Sequence, residues 1–233
     1  MNKKILENLE KTDSKDVLRN KKRIEIASTI AILSENKKIR EENISIIKKE
    51  QNKDGFWLEY SYEKEEEGVG YYGAIPTCFC ILALIDDYKK NKDKESLDSA
   101  IKACDYLYSQ EKNGYFLKAS INKTDVINTN LMCALALIET SKVMNKKSRR
   151  NEIYVSAAAR TIRRSINSQH LNGAYPYTSY GLTVPFLYHP MTLALLIRLS
   201  NYFNDSYLEY SILKGIRYLK RIIRKNGSIN WDK

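Results

Sequence analysis

Hydrophobic positions along the chain follow a helical rhythm, and they do so in two alternating kinds. Segments such as Thr77–Tyr88 are apolar on nearly every side, which predicts helices buried all round. The segments after them are amphipathic. Leu97, Ile101, Cys104 and Leu107–Tyr108 make one stripe with Lys and Asp opposite, and Leu208, Ile212, Ile216 and Leu219 make another. An apolar helix paired with an amphipathic one is the unit of a two-layer helical ring or solenoid.

Two markers repeat in step along the chain. The first is a polar turn with glycine and aromatics: Gln51-Asn52-Lys53-Asp54-Gly55-Phe56-Trp57, then Gln110 to Phe116 around Gly114, Gln169 to Tyr175 around Gly173, and Lys225 to Trp231 around Gly227. The second is a small-and-apolar core ending at Leu33, Ile85, Ile138 and Ile197. The repeat of about 55 residues reads as helix, link, helix, Gly turn, four times over. Asn or Asp before Gly suits the left-handed turn that ends the outer helix. Pro76, Pro185 and Pro190 fall before or within the first turn of inner helices, where a missing N–H is tolerated. The class is therefore all-α, with an N-terminal helical arm at 1–20 and the repeat domain at 21–233.

Composition adds few exclusions. With 4 Pro and 9 Gly in 233 residues, long helices are favoured over many strands. The apolar runs are too short to span a bilayer, and the N-terminus has no apolar signal core, which predicts a cytoplasmic protein. Cys78, Cys80, Cys104 and Cys133 sit in apolar helical stretches and read as buried free thiols. The net charge of +11 suits an anionic partner: acidic glycan, diphosphate, nucleic acid or lipid. Clear basic helical faces occur at Arg160-Arg163-Arg164 and at Lys214-Arg217-Lys220-Arg221-Arg224.

The first turn matches Q-x-x-D-G-x-W, so the chain from about Lys21 to Lys233 resembles the α/α-toroid superfamily. That group includes terpene cyclases and protein prenyltransferase β subunits, with looser versions of the turn in toroid polysaccharide lyases and uronyl epimerases. The resemblance implies a toroid with an incomplete or open ring, because four hairpins are fewer than the five to seven of a closed one. A second copy or a partner chain would close it. No D-x-D-D motif is present. Asp86-Asp87 runs into Tyr88-Lys89-Lys90, not a diphosphate motif, and reads as a solvated helix end. No Asp-x-Cys pair accompanies Tyr188-His189, so neither a zinc site nor any other cofactor is expected.

In such rings the inner helices start at one mouth, where their dipoles favour anions. Glu25, Thr77, Asn130 and His189 each stand eight residues before a repeat marker, at quasi-equivalent helix starts. Toroid lyases and epimerases use Asn, His and Tyr to neutralise a uronate carboxylate and take its C5 proton. By residue type this implies His189, Asn130, Tyr180 and Tyr188 as catalytic candidates. Glu25, Thr77, Asn128, Tyr71, Tyr72 and Tyr177 are then substrate-binding. Trp57, Phe116 and Tyr175 read as packing wedges, His170 as a surface residue, and Glu63–Glu67 before Gly68-Val69-Gly70 as a lid. The leading reading is a lyase or epimerase on an acidic glycan. An isoprenoid cyclase or prenyltransferase-like protein, and a non-enzymatic scaffold or nucleic-acid binder, stand as alternatives.

Overall fold

The computed structural model describes residues 24–59, 71–120, 123–185, 187–224 and 226–229. The expected arm at 1–20 and the expected lid at 63–70 lie outside them. Among the described residues there are four helical hairpins: α1 (Ile24–Leu33) with α2 (Lys37–Lys49), α3 (Ala74–Asn91) with α4 (Lys94–Ser109), α5 (Ile127–Ser141) with α6 (Arg149–Asn167), and α7 (Tyr188–Ser200) with α8 (Ser206–Ile222). Two small antiparallel pairs join them: β1 (Leu58–Glu59) with β2 (Tyr71–Tyr72), and β3 (Glu111–Lys112) with β4 (Tyr115–Phe116).

The odd-numbered helices form the inner layer and pack on one another in sequence order, each backed by its own even-numbered partner. Burial follows the two kinds of sequence pattern. Every residue of α5 is buried. Helix α4 buries only Ser96, Ala100, Ala103, Cys104 and Leu107, a single stripe. Tyr108, expected on that stripe, is exposed. Truncating a buried inner residue such as Leu137 would cost about 3 kcal/mol, because the close-packed layer cannot collapse into the gap.

The two layers also start differently. Outer helices are capped by side chains: Asn36, Asp93, Ser148 and Asp205 each accept from the first turn of the helix that follows. Inner helices α3, α5 and α7 have no side-chain cap. The next repeat's loop supplies a carbonyl in its place, with Lys118 O accepting Ala74 N–H and Tyr177 O accepting Ile127 N–H. Isolated bridges Gly73–Ala119 and Val126–Thr178 continue the same belt. The expected anion-favouring helix ends are thus partly occupied by backbone at α3 and α5.

The Gly turns dock each repeat onto the next. Gly55, Gly114 and Gly173 have φ of +108°, +86° and +95°, and a Cβ on each would strike the carbonyl of Lys102, Arg160 or Lys214 on the following outer helix. Gln51 Nε2 donates to Gly55 O and across to Ser99 O, both at 2.9 Å, and Gln169 repeats this with Gly173 O and Ser211 O. That bracing is the structural meaning of the Q-x-x-D-G-x-W turn here. Gln110 departs from it and bonds Ser109 Oγ. Gly227 also has positive φ, but nothing lies within 4 Å of its would-be Cβ.

One expectation needs correcting. Asp87 is not a solvated helix end. It is buried and accepts from Asn91 Nδ2 (2.7 Å) and Ser96 Oγ (2.6 Å), tying α3 to α4. Asp86 remains partly exposed and pairs with Lys90. The four cysteines are buried and free, and burial pushes the thiols of Cys78, Cys80 and Cys104 well up, so they stay protonated.

Candidate functional site at the inner-helix mouth

Three of the four quasi-equivalent helix starts share one job. Thr77 Oγ1 accepts the Trp57 N–H at 3.2 Å, Asn130 Oδ1 accepts the Phe116 N–H at 2.9 Å, and His189 Nδ1 accepts the Tyr175 N–H at 3.0 Å. In each case the donor is the residue two after the turn glycine, and its aromatic side chain is buried as a wedge. A buried backbone N–H left unbonded costs about 1–3 kcal/mol, so each polar helix start is a latch for its own wedge.

This bears on the expected catalytic roles. His189 is 1 % exposed, and with Nδ1 accepting, its proton sits on Nε2, which donates to Gly215 O at 3.2 Å. Burial lowers its pKa despite the Gly215 bond, so the ring is neutral with both nitrogens engaged. Asn130 spends its oxygen on Phe116 and its amide on Asp125. Neither side chain retains a group directed at a reacting atom. Tyr72 is a core residue, its ring edge-on to Phe56 at 5.7 Å and tilted on Tyr106 at 5.1 Å. Tyr71 belongs to β2, and its side chain lies outside the described residues. Tyr180 is 85 % exposed and stands apart from these latches, its hydroxyl accepting from Arg164 on α6 at 3.1 Å. His170 is half-buried with Nε2 on Gly181 O.

Glu25 is the exception among the four. Among the described residues, which begin at Ile24, no backbone N–H is latched to its side chain. Its carboxyl is raised above the usual range by burial, partly offset by its own backbone N–H, and raised again by Glu59. Glu59, on β1, is likewise raised by burial, with Lys118 pulling the other way. Its Oε2 is buried with no hydrogen-bond partner among the described residues, and it lies against Gly73 at the start of α3. Both carboxyls are thus raised chiefly by burial, Glu59 adding to the rise at Glu25 and Lys118 opposing it at Glu59. Composition gave no sign of Glu59. The signal available was a lone acid between the aromatics Trp57 and Tyr60.

The starts of α5 and α7 carry amide and aromatic side chains. Tyr177 and Tyr188 pack ring on ring at 4.7 Å, tilted by 57°, both half-buried, before and at the start of α7. Asn128, in the first turn of α5, has a buried Oδ1 without a partner among the described residues. Among the described residues no three His, Cys, Asp or Glu side chains gather as a metal cage, and no helix is long and apolar enough to cross a membrane.

No family pattern matches this sequence, and no curated protein matches it. Solved structures do. A polysaccharide lyase superposes with a TM-score of 0.66 at 11% identity, covering 90% of this chain and 62% of its own. The cellobiose 2-epimerase of Bacillus thermoamylovorans gives 0.68 at 11%, covering 89% and 61%. A family 76 α-mannanase of Bacteroides thetaiotaomicron gives 0.65 at 12%, covering 89% and 59%. The chain thus spans about three fifths of the length of these proteins. At such identities the likeness is one of fold, and the fold of this chain is that of the α/α toroid.

Proposed function

We propose that the protein acts on an acidic glycan at the mouth of the inner helices, with Glu59 and Glu25 as its proton-transfer pair. The observation that carries this reading is the pair itself. Burial raises both carboxyls and Glu59 adds to the rise at Glu25, which suits one as a proton donor and the other as a base stronger than usual. Fold neighbours described as a lyase and an epimerase support the choice of a sugar substrate.

The chemistry is a β-elimination next to a uronate. Lys118 pairs with the sugar carboxylate and stabilises the charge that develops on it. The Glu59 carboxylate takes the C5 proton, and the electrons of that C–H bond form the C4–C5 double bond. The C4–O bond breaks, and protonated Glu25 gives its proton to the departing oxygen. Reprotonation at C5 from the other face would instead give an epimer. Tyr177 and Tyr188 stack on the sugar, and Asn128 supplies an amide at the rim. Thr77, Asn130 and His189 position this wall through their latches.

The test is elimination itself. Purified protein is incubated with oligouronides, and the ultraviolet absorbance of the unsaturated sugar end is followed across pH. The reading expects turnover whose acidic limb lies above the ordinary carboxylate range and is lost in Glu59→Gln with folding intact. Turnover unchanged in Glu59→Gln would refute it.

A further inference from the structure

A large groove on the described surface lies away from the inner-helix starts. It lies along α6, bordered by the loop of Ser179 and Tyr180 and by the link before α8 at Phe203 and Asp205, has a volume of about 790 Å³, and is lined by Arg160, Arg163, Arg164 and Asn167 among others. The three arginines are the basic face seen in the sequence, and the mouth chemistry uses none of them.

By formal charge the groove is balanced. Arg160 pairs with Glu111, Arg163 with Asp205 and Arg164 with Asp125. The pairs are asymmetric, however. The arginine side chains are 46 %, 54 % and 24 % exposed, against 10 %, 29 % and 12 % for their acids. The carboxylates sit deeper and aim the guanidinium planes outward, which leaves cationic N–H donors at the accessible surface. Such pre-aimed forks suit planar or tetrahedral oxyanions.

Two further features narrow the ligand. Tyr180 stands on the rim with Arg164 over its ring at 5.5 Å, so an aromatic face lies beside the cations. Ser179 Oγ, in the groove wall, is buried without a partner among the described residues, a deficit that a ligand oxygen would relieve. Guanidinium, amide, hydroxyl and aromatic groups together fit a sugar bearing an acid group. The loop that carries Ser179 and Tyr180 also carries Tyr177 at the mouth, so one loop borders both places.

The geometry points to a second binding site in this groove, for the carboxylate or sulfate groups of an acidic glycan. The identity of the ligand rests on the acidic-glycan reading, whereas the site itself does not depend on chemistry at Glu59. A chain several sugars long would be held here by its acid groups while another of its residues occupies the mouth.

Calorimetry on the full chain tests this with four probes: an oligogalacturonide, a sulfated oligosaccharide, a neutral manno-oligosaccharide of equal length, and duplex DNA. Binding of one or both acidic sugars is expected, weakened at least tenfold in Arg160→Gln/Arg163→Gln and partly restored in Arg163→Lys. The carboxylated and sulfated arms tell which oxyanion is preferred. Equal binding of the neutral sugar, equal binding of DNA, or unchanged affinity in the double variant would each overturn the site. The far-ultraviolet spectrum and melting midpoint of the double variant guard against misfolding, and Tyr180→Ala, which removes an exposed ring and its contact with Arg164, gives a second route to the same loss. If Glu59→Gln binds normally but does not turn over, both readings stand. If it turns over while the groove variants lose binding, only the mouth chemistry fails.

Discussion

Four residues occupy the same place in four repeats, and one of them behaves differently from the rest. Thr77, Asn130 and His189 each close a hydrogen bond to the N–H two residues after a Gly turn. Glu25 makes no such latch among the described residues, and its carboxyl is raised by burial and by Glu59. Quasi-equivalence in a repeat fold fixes where a side chain starts. Whether it is consumed by the fold depends on the neighbour that the repeat brings to it. Chemistry is best sought where the pattern fails, because there the polar group at the helix start is not spent on a latch.

The strongest way to break this comparison is through the turns that feed the latches. Gly173→Ala places a Cβ against the Lys214 carbonyl and strains a positive φ, so it should cost about 3 kcal/mol or more. Gly227→Ala meets no neighbour and should cost only about 1 kcal/mol from the backbone conformation. Chemical denaturation of the two variants measures the difference, and equal losses would mean the docking of turns is not what stabilises the ring.

Next in size are the latches. His189→Leu orphans the Tyr175 N–H and should lose about 2 kcal/mol. His189→Asn keeps an acceptor of the kind Asn130 already uses and should lose less. The histidine also carries a pH signature. Its folded pKa lies below the ordinary 6.5, so the unfolded chain binds its proton first as pH falls. Its contribution is present above pH 6.5 and lost as pH drops toward the folded value. Melting midpoints against pH should show this slope in the wild type and not in His189→Asn.

The carboxyl pair has the opposite sign. Glu25 and Glu59 are raised above their ordinary 4.5, so the folded chain holds their protons longer and stability falls as pH rises through that interval. Glu59→Gln should therefore raise the melting midpoint modestly at neutral pH and leave it unchanged in acid.

The sequence made much of this architecture legible. The two markers located all four hairpins, because apolar-all-round and one-stripe helices differ in composition. The buried thiols and the wedge aromatics Trp57, Phe116 and Tyr175 were readable for the same reason. The site was less legible. Polar residues at apolar helix starts stand out equally whether they latch a backbone N–H or await a ligand, and Asn130 and His189 could not be told from Glu25 without the turns in place. Glu59 on β1 and Lys118 after β4 are far apart in sequence and influence one another only after folding. Asp87 looked solvated at a helix end, and only the position of Ser96 on α4 shows it buried.

The most direct test of the central claim is a carbon-13 NMR titration of the glutamate side chains, run with and without an oligouronide. The account predicts that Glu25 and Glu59 titrate above the ordinary carboxylate range and that both curves move when the sugar binds. Ordinary titration of both carboxyls, unmoved by the sugar, would contradict it.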